Sequence, residues 1–551
     1  MNEISLRMKQ LEEVKEDYLG LWEYIGRYVN SRRELIRDSQ KWDKKGQYRG
    51  KRSYSGVANA ALNIWVDGMQ GFMVAKNLTW FVSVMDDWRL NEIDEVRVFL
   101  QEYDKAMYAA FKRSNFYSIL SEWFRDAGSI GTAALYTEED IANGTEVHIP
   151  IHPREIFISE NKYGEVDTLF RKFQLTARQA VQKFEEGKLS QAIIDNSKQH
   201  PEKNHEFVHA VFPNDEPMFG KLDSTNKKFK SVYMETSKES NSDGSEKTAR
   251  EGGFDIFPYA VWRYRKNSDE IYGYSPAAEA MAEILSLNQI GKSLLRAAQM
   301  SVASPLNVPE HMRGNVQMQP DGYNYFDNPK DIITPINTGI TFPIGVDREE
   351  KIERLIEDKW RVEFFLVYAR AEREMTATEV MERQSEKAVL MGPQVDRLIS
   401  EGLSKVFDIV SDIEDRAGRL PSPPPVLLES SSNIEIQFTG PLAQAQKRMF
   451  ALQPIRVGLN EISQASVLFP NITDRINEKK LSETILDSTD FPQVLMNSDE
   501  EVDAIREARA QAEAQRLAME TAGQMADAYP KIKDAPEEGS PAEAIAEAIG
   551  V

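Results

Sequence analysis

The 551-residue sequence contains no cysteine. That absence excludes disulfides, thiolate-held zinc, iron–sulfur clusters and cysteine nucleophiles, and it fits a reducing compartment. Histidine is scarce as well, with six residues in the whole chain. No stretch approaches the ~18 uninterrupted apolar residues of a membrane span. The N-terminus, Met1-Asn2-Glu3-Ile4-Ser5, opens a charged amphipathic helix and not a signal peptide.

What is present is a globular balance of 41% hydrophobic and 28% charged residues. The length allows three or four domain-sized units or one elongated multi-part subunit. Lys and Arg number 67 against 88 Asp and Glu, a net charge of −21. Such an excess argues against gripping nucleic acid over the whole surface, but not against a wall past which DNA slides.

Apolar residues from Leu11 to Val29 recur at three- and four-residue spacing, which predicts a helix over residues 3–40. Nine basic residues follow (Arg32, Arg33, Arg37, Lys41, Lys44, Lys45, Arg49, Lys51, Arg52), interrupted by Glu34, Asp38 and Asp43. They read either as a solvated loop or as a docking patch for an acidic partner or DNA. Helices are expected over 55–75 and 92–128, and strands over 80–84, 128–136 and 145–175. The turn falls at Asn161-Lys162-Tyr163-Gly164, and a helix capped by Thr176 follows. Further strands are expected over 205–213, 228–235 and 257–264, with Ser237 to Gly253 as a mobile loop.

The second half changes character. Long helices are expected over 276–302 and 348–370, separated by a Pro-, Asn- and Gly-punctuated segment over 303–346. Thr376-Ala377-Thr378-Glu379 is a capping box opening a third helix, in which Thr376 and Glu379 are the capping residues and Gly392-Pro393 a kink. The run from Leu420 to Pro425 stops it, Ile434 to Phe438 is a strand, and 499–528 is a final helix.

No catalytic or metal site emerges, and no cofactor is expected. His205-Glu206-Phe207-Val208-His209 matches a zinc-protease pattern that requires a helix. Its β-forming composition predicts a strand, on which residues four apart are ~13 Å from each other. Gly291-Lys292-Ser293 resembles the end of a phosphate loop, yet Ser286 stands where the first glycine is required and the segment is helical. His148 and His152 read as structural or exposed, and Glu138, Glu139 and Asp140 as a solvated turn.

Several motifs in order resemble the head-to-tail connecting (portal) proteins of podovirus-type bacteriophages. They are Leu78-Thr79-Trp80-Phe81, Ser114-Asn115-Phe116-Tyr117, Gly131-Thr132-Ala133-Ala134-Leu135, Val166-Asp167-Thr168 and Leu175-Thr176-Ala177-Arg178-Gln179-Ala180. Phe257-Pro258-Tyr259, Tyr272-Gly273-Tyr274-Ser275-Pro276, Leu287-Asn288, Met375-Thr376-Ala377-Thr378-Glu379-Val380 and Gly440-Pro441-Leu442-Ala443-Gln444-Ala445-Gln446 complete the series.

The resemblance implies a predominantly helical α+β portal fold assembled as a homo-oligomeric ring, usually of twelve subunits, through which double-stranded DNA is packaged and ejected. It further implies a wing over 1–270, a first stem helix over 271–302, a small α/β clip over 303–346 and a second stem helix over 347–367. A tunnel loop over 368–375, a return to the wing over 376–490 and a helical crown with an acidic tail over 491–551 follow. Partners would be the major capsid protein and scaffold, the terminase, and then tail or adaptor proteins. The location would be the portal vertex of the virion, after assembly in the host bacterial cytoplasm. DNA-channel candidates are Arg370 and Arg373 of the tunnel loop and Arg348, Lys351 and Arg354 of the stem. The stem charges equally suit ion pairs between subunits. A different virion protein, such as a tail adaptor or internal core protein, and a zinc metalloprotease are the alternatives.

Overall fold

The computed structural model describes residues 3–34, 36, 53–215, 226–236, 247–302, 305–314, 316–317, 323–325, 328, 330, 332–335, 343–366, 387, 389–430, 432–440, 453–466, 476–488 and 499–528. The chain divides into two units, Met1–Arg456 and Val457–Val551.

Helix α1 (Glu3–Tyr28) buries Met8, Leu11, Trp22 and Ile25. Lys15 is also buried, its ammonium donating to the carbonyls of Pro153, Arg154 and Ile156 at 2.9, 2.7 and 2.8 Å. The helix stops well short of residue 40. A 3-10 turn at Ser31–Arg33 doubles the chain back over Gly26, where a Cβ would meet the Arg33 carbonyl oxygen at 2.8 Å. Only glycine permits that approach.

Helix α2 (Val57–Met73), strand β1 (Phe81–Met85), helix α3 (Asp94–Arg113) and helix α4 (Phe116–Ser129) follow. The single helix expected over 92–128 is broken at Ser114-Asn115. There the Ser114 hydroxyl accepts from the Phe116 amide at 3.2 Å, and the Asn115 carboxamide pairs with both backbone groups of His148 at 2.8 Å. Such side-chain bonds offer the backbone an alternative to the helix. Trp65, Trp123 and Trp262 meet at the centre of the core, with ring centroids 5.6–6.3 Å apart.

Strands β2 (Thr132–Asp140) and β3 (Thr145–Ile151) join β9 (Tyr259–Arg263) in an antiparallel sheet of order β3-β2-β9. Strands β4 (Ile156–Glu160), β5 (Val166–Thr176), β6 (Asn204–Pro213), β7 (Phe229–Glu235) and β8 (Lys247–Phe254) form a five-stranded meander. The expected hairpin turn at Asn161–Gly164 is present, with the Asn161 carboxamide oxygen accepting from the amides of Tyr163 and Glu165. Thr176 caps helix α5 (Ala177–Lys183) in a full capping box with Gln179. Together with α6 (Gln191–Gln199), α5 covers one face of the meander through Phe184, Leu189 and Ile193.

Strand β8 corrects the reading of a loop over 247–253, while 237–246 lie outside the described residues. Among the described residues β8 pairs with β7 alone and buries Ala249 alone, so water keeps the charges of Arg250 and Glu251. Such a polar edge strand carries no alternation to reveal it.

Two motifs about 140 residues apart meet next to β2. The Gly273 amide donates to the Thr132 hydroxyl at 2.7 Å, and the Ser275 hydroxyl donates to the Ser129 carbonyl at 2.6 Å. Gly131 has φ +96°, and a Cβ there would lie 2.5 Å from the Gly273 carbonyl. Ser275 also caps α7 (Pro276–Glu279). The expected continuous helix over 276–302 is interrupted at Ala280, because Pro276, Ala277, Ala278 and Ala280 are wedged into the core. Helix α8 (Met281–Val302) then runs for about 33 Å.

Strands β10 (Leu306–Asn307) and β11 (Thr334–Pro335) pair antiparallel. Helix α9 (Pro343–Lys359) starts five residues earlier than expected, with proline in the first turn, and so extends into the segment read as 303–346. It ends well before residue 370, because Trp360 is buried and donates its indole N–H to the Gly128 carbonyl at 3.2 Å. Arg361 then adopts φ +53°, and the short helix α10 (Val362–Phe365) follows.

The expected kink at Gly392-Pro393 is instead the first turn of α11 (Gly392–Arg397). A π-helical segment, Leu398–Leu403, leads into α12 (Ser404–Arg416). After α13 (Pro425–Glu429), strand β12 (Ile434–Phe438) returns to pair with β1. Helices α14 (Gln453–Ser466) and α15 (Glu478–Ser488) were not foreseen, whereas α16 (Asp499–Ala528) has the expected bounds.

Arg263 ties the first unit together. Its side chain is 1% exposed and pairs with Glu160 of β4 and with Glu401 of the π-helical segment, the latter at 2.7 Å. It also donates to the Gly164 carbonyl at 2.9 Å, while Lys266 holds Glu160 at 2.8 Å. Removing one member of a buried charge cluster strands the others. Arg263→Met should therefore destabilise the protein by about 3–5 kcal/mol in urea unfolding; a loss under about 1 kcal/mol would show that the cluster is not a keystone.

Candidate functional site

Helices α8 and α9 pack against each other and flank the punctuated segment. On α8, Ile284 and Leu287 are buried, while Lys292, Leu295 and Arg296 are exposed. On α9, Ile356 is buried with Trp360 and Phe364 beyond it, and Ile352 is half-buried. Leu355 is 50% exposed.

Arg348, Lys351 and Arg354 are all exposed. Arg354 approaches Glu350 at 3.9 Å, one helical turn away, a geometry that contributes little. The Glu353 carboxyl is raised by partial burial and by Glu349, Glu357 and Glu350 around it. Helix α9 thus carries Asp347, Glu349, Glu350, Glu353, Glu357 and Asp358 among Arg348, Lys351, Arg354 and Lys359, and α8 adds Glu283, Lys292 and Arg296.

Arg370, Arg373, Thr376 and Glu379 lie outside the described residues, as do Arg37, Lys41, Lys44, Lys45, Arg49, Lys51 and Arg52. The two described members of the basic stretch behave differently. Arg33 grips buried Asp126 through two bonds of 2.7 and 2.8 Å and also reaches Glu122. Burial pushes Asp126 up to about 6 against the pull of Arg33, so this arginine serves the fold. Arg32 is exposed and lines a polar cleft.

The zinc-protease pattern lies on β6. His209 is buried with Nδ1 2.6 Å from the Tyr259 hydroxyl and Nε2 2.9 Å from the Ser231 hydroxyl, leaving no ring nitrogen for a metal. His205 is buried beside Asn196. Among the described residues, no group of three or more His, Asp or Glu is arranged to hold a metal ion. Gly291-Lys292-Ser293 lies within α8. His148 is buried with Nδ1 2.9 Å from the Thr137 hydroxyl, and His152 accepts from the Arg154 amide. Glu138 and Glu139 end β2 in ion pairs with Lys183 and Arg416.

A carboxyl pair missed in the sequence sits between β3 and α12. Glu146 and Glu414 are each 1% exposed. Arg113 and Arg419 hold Glu414 at 2.8 and 2.6 Å, and Arg419 lies 3.5 Å from Glu146. Burial and the adjacent Glu414 raise Glu146 to about 7. Burial acts on Glu414 in the same direction, but hydrogen bonds from Arg419, Glu146 and Arg113 outweigh it and hold this carboxyl at about 2. Such unequal carboxyls characterise acid/base sites, yet this pair is sealed from solvent and fastens a hairpin to a helix. Only its long separation along the chain hid it.

A sequence profile described as bacteriophage head to tail connecting protein matches residues 1–496. The chain belongs to this family. The connector is 26% identical over 519 residues to a protein named probable portal protein of Bordetella phage BPP-1, spanning 92% of this chain and 90% of the relative. It is also 26% identical over 531 residues to the portal protein of Salmonella phage epsilon15, spanning 93% and 92%. Family membership makes the connector a head–tail component of the virion, with a mixed helix-and-sheet fold. Among its described residues, no helix is long and apolar enough to cross a membrane.

The carboxyl pair gives the connector a defined pH response. Because Glu146 is raised from 4.5 to about 7, its protonated form is favoured by folding. Its contribution is complete below pH 4.5 and is lost as pH rises towards 7. Glu414 has the opposite sign, contributing above pH 4.5 and losing that contribution as pH falls towards 2. Glu146→Gln should therefore lessen the stability lost between pH 5 and 8 by about 1–3 kcal/mol relative to wild type. Urea unfolding at the two pH values measures this, and an unchanged difference would place the proton elsewhere.

Proposed function

We propose that copies of this connector assemble into a ring at one capsid vertex, and that double-stranded DNA passes through it during packaging and ejection. The observation that carries the reading is the α8–α9 pair. It flanks a strand-bearing segment and carries seven carboxylates against six cations, with α9 the acidic member of the pair. Carboxylates interleaved with the cations of α9 leave phosphates no continuous basic surface on which to condense, while the cations provide weak contacts independent of base sequence. About twelve copies would carry a net charge of roughly −250.

In this reading residues 1–270 and 376–490 form the wing, and 271–302 and 347–367 the stem. The clip is 303–346, the tunnel loop 368–375 and the crown 491–551. Arg348, Lys351 and Arg354, with Arg370 and Arg373, make the non-specific DNA contacts. Arg348, Lys351 and Arg354 are exposed, which supports a role at a surface shared with DNA or with a neighbouring copy. Capsid and scaffold proteins, a terminase and then tail or adaptor proteins dock in turn, with assembly in the host cytoplasm.

Negative-stain images of the purified protein should show rings with a central channel; monomers or compact dimers at every concentration would refute the reading. Replacing Arg348, Lys351 and Arg354 together by glutamate should leave the rings intact and reduce DNA packaged or retained about tenfold, as loss of several phosphate contacts requires. Loss of rings in this variant would assign the three cations to subunit contacts instead.

A further inference from the structure

Where the end of α1 meets the first turns of α2 and the middle of α4, the first unit holds a cleft of about 530 Å³. Its volume lies within the usual few hundred cubic ångströms of small-molecule sites. Its lining is of another kind, because among the described residues Asn30, Arg32, Asn59, Asn63, Asp67 and Arg125 face it and no aromatic or aliphatic side chain does. Nothing there would stack on a base or cover a hydrocarbon.

The polar groups are arranged by the fold. Asn59, Asn63 and Asp67 stand at four-residue intervals on α2, whose other faces bury Ala58, Leu62, Trp65, Val66 and Met69. They share one stripe of the helix. A chain of hydrogen bonds runs along it. The Asn59 amide donates to the Val29 carbonyl at 2.8 Å, the Asn63 amide to the Asn59 carboxamide oxygen at 3.2 Å, and Arg125 Nη1 to the Asn63 carboxamide oxygen at 2.7 Å. Asn30 is 1% exposed and donates to the Ser129 hydroxyl at 3.1 Å. The Arg125 guanidinium is thus fixed in place before any ligand arrives, which lowers the cost of binding.

Charge selects the ligand. Among the described residues the lining brings two guanidinium groups and one carboxylate together. Burial, together with the positive charge of Arg32, makes the protonated state of Arg125 less favourable than in water. An anion between the two arginines relieves that repulsion. We infer that this cleft is a binding site for a phosphate-class oxyanion, held by Arg125 and Arg32 with the Asn59–Asn63 ladder orienting Arg125. Planar guanidinium forks match the tetrahedral oxygens of such an anion. The site makes no demand on ring assembly.

The test is calorimetric titration of the full chain with inorganic phosphate against chloride at constant ionic strength. Arg125→Gln and Arg32→Gln should each weaken phosphate binding about tenfold, the usual worth of a charge-assisted pair. Asp67→Asn removes the opposing carboxylate and should strengthen it about threefold to tenfold, a gain that a misfolded variant does not produce. Equal affinity in wild type and Arg125→Gln, or no gain in Asp67→Asn, would overturn the assignment. Competition then distinguishes the source. Displacement of phosphate by a short DNA duplex supports a site for a nucleic-acid backbone, and retention of phosphate supports a site for the free anion.

Discussion

One fully buried guanidinium determines how the first unit closes. Arg263 ends β9, and its partners come from β4, the β4–β5 turn and the π-helical segment, 103, 99 and 138 residues away in sequence. An arginine here is tolerable only because two carboxylates and the carbonyls of Gly164 and Ile271 replace the water it has lost. Each of those partners fixes something else. Glu160 sets the edge of the meander, and Glu401 receives the backbone amide of Arg263 as well as its side chain. That bond requires Glu401 to face β9. The wider π turn supplies that orientation, and Gly402 beside it admits the Trp123 ring at 2.8 Å from where a Cβ would be. The π-helix, the glycine and the charge cluster are consequences of one constraint.

The same core sets the roots of the helix pair. Gly131, Gly273 and Ser275 bring the end of α4 against the start of α7, and Trp360 returns α9 to the Gly128 carbonyl. Both ends of the α8–α9 excursion are therefore anchored within four residues of one another on α4 and β2, while the distal turns of α8 carry mostly exposed or half-exposed side chains. Leu295 and Leu355 are each 50% exposed along this pair.

Much of this was legible in the sequence where a local rule governed it. The strand at 205–213 was readable against the zinc-protease pattern because β-branched and aromatic residues outweigh two histidines. The Thr176 cap and the Asn161–Gly164 turn were readable because their hydrogen bonds close within five residues. What was not legible depends on distant partners. Strand β8 exists because β7 offers an edge, and the break at Ala280 because small residues are wedged into a core built elsewhere. The end of α1 depends on Gly26 meeting Arg33, and Arg33 itself, read as part of a docking patch, is claimed by Asp126 from 93 residues away. The Glu146–Glu414 pair follows the same logic. Composition located the charges; the fold decided which of them remain available.

That sorting gives the net charge its meaning. A total of −21 describes no particular surface. Arg33, Arg113, Arg263 and Arg419 are neutralised inside the unit by buried carboxylates. Arg348, Lys351 and Arg354 stand on an exposed helix among glutamates, and Arg32 and Arg125 line a cleft together with Asp67. On α9 the carboxylates alternate with the cations, so no continuous basic surface forms. In the cleft Arg125 is oriented by the Asn63 carboxamide, itself held by Asn59. The connector thus holds its cations in two physically different ways, interleaved with opposite charge on a helix and positioned by an amide ladder in a cleft.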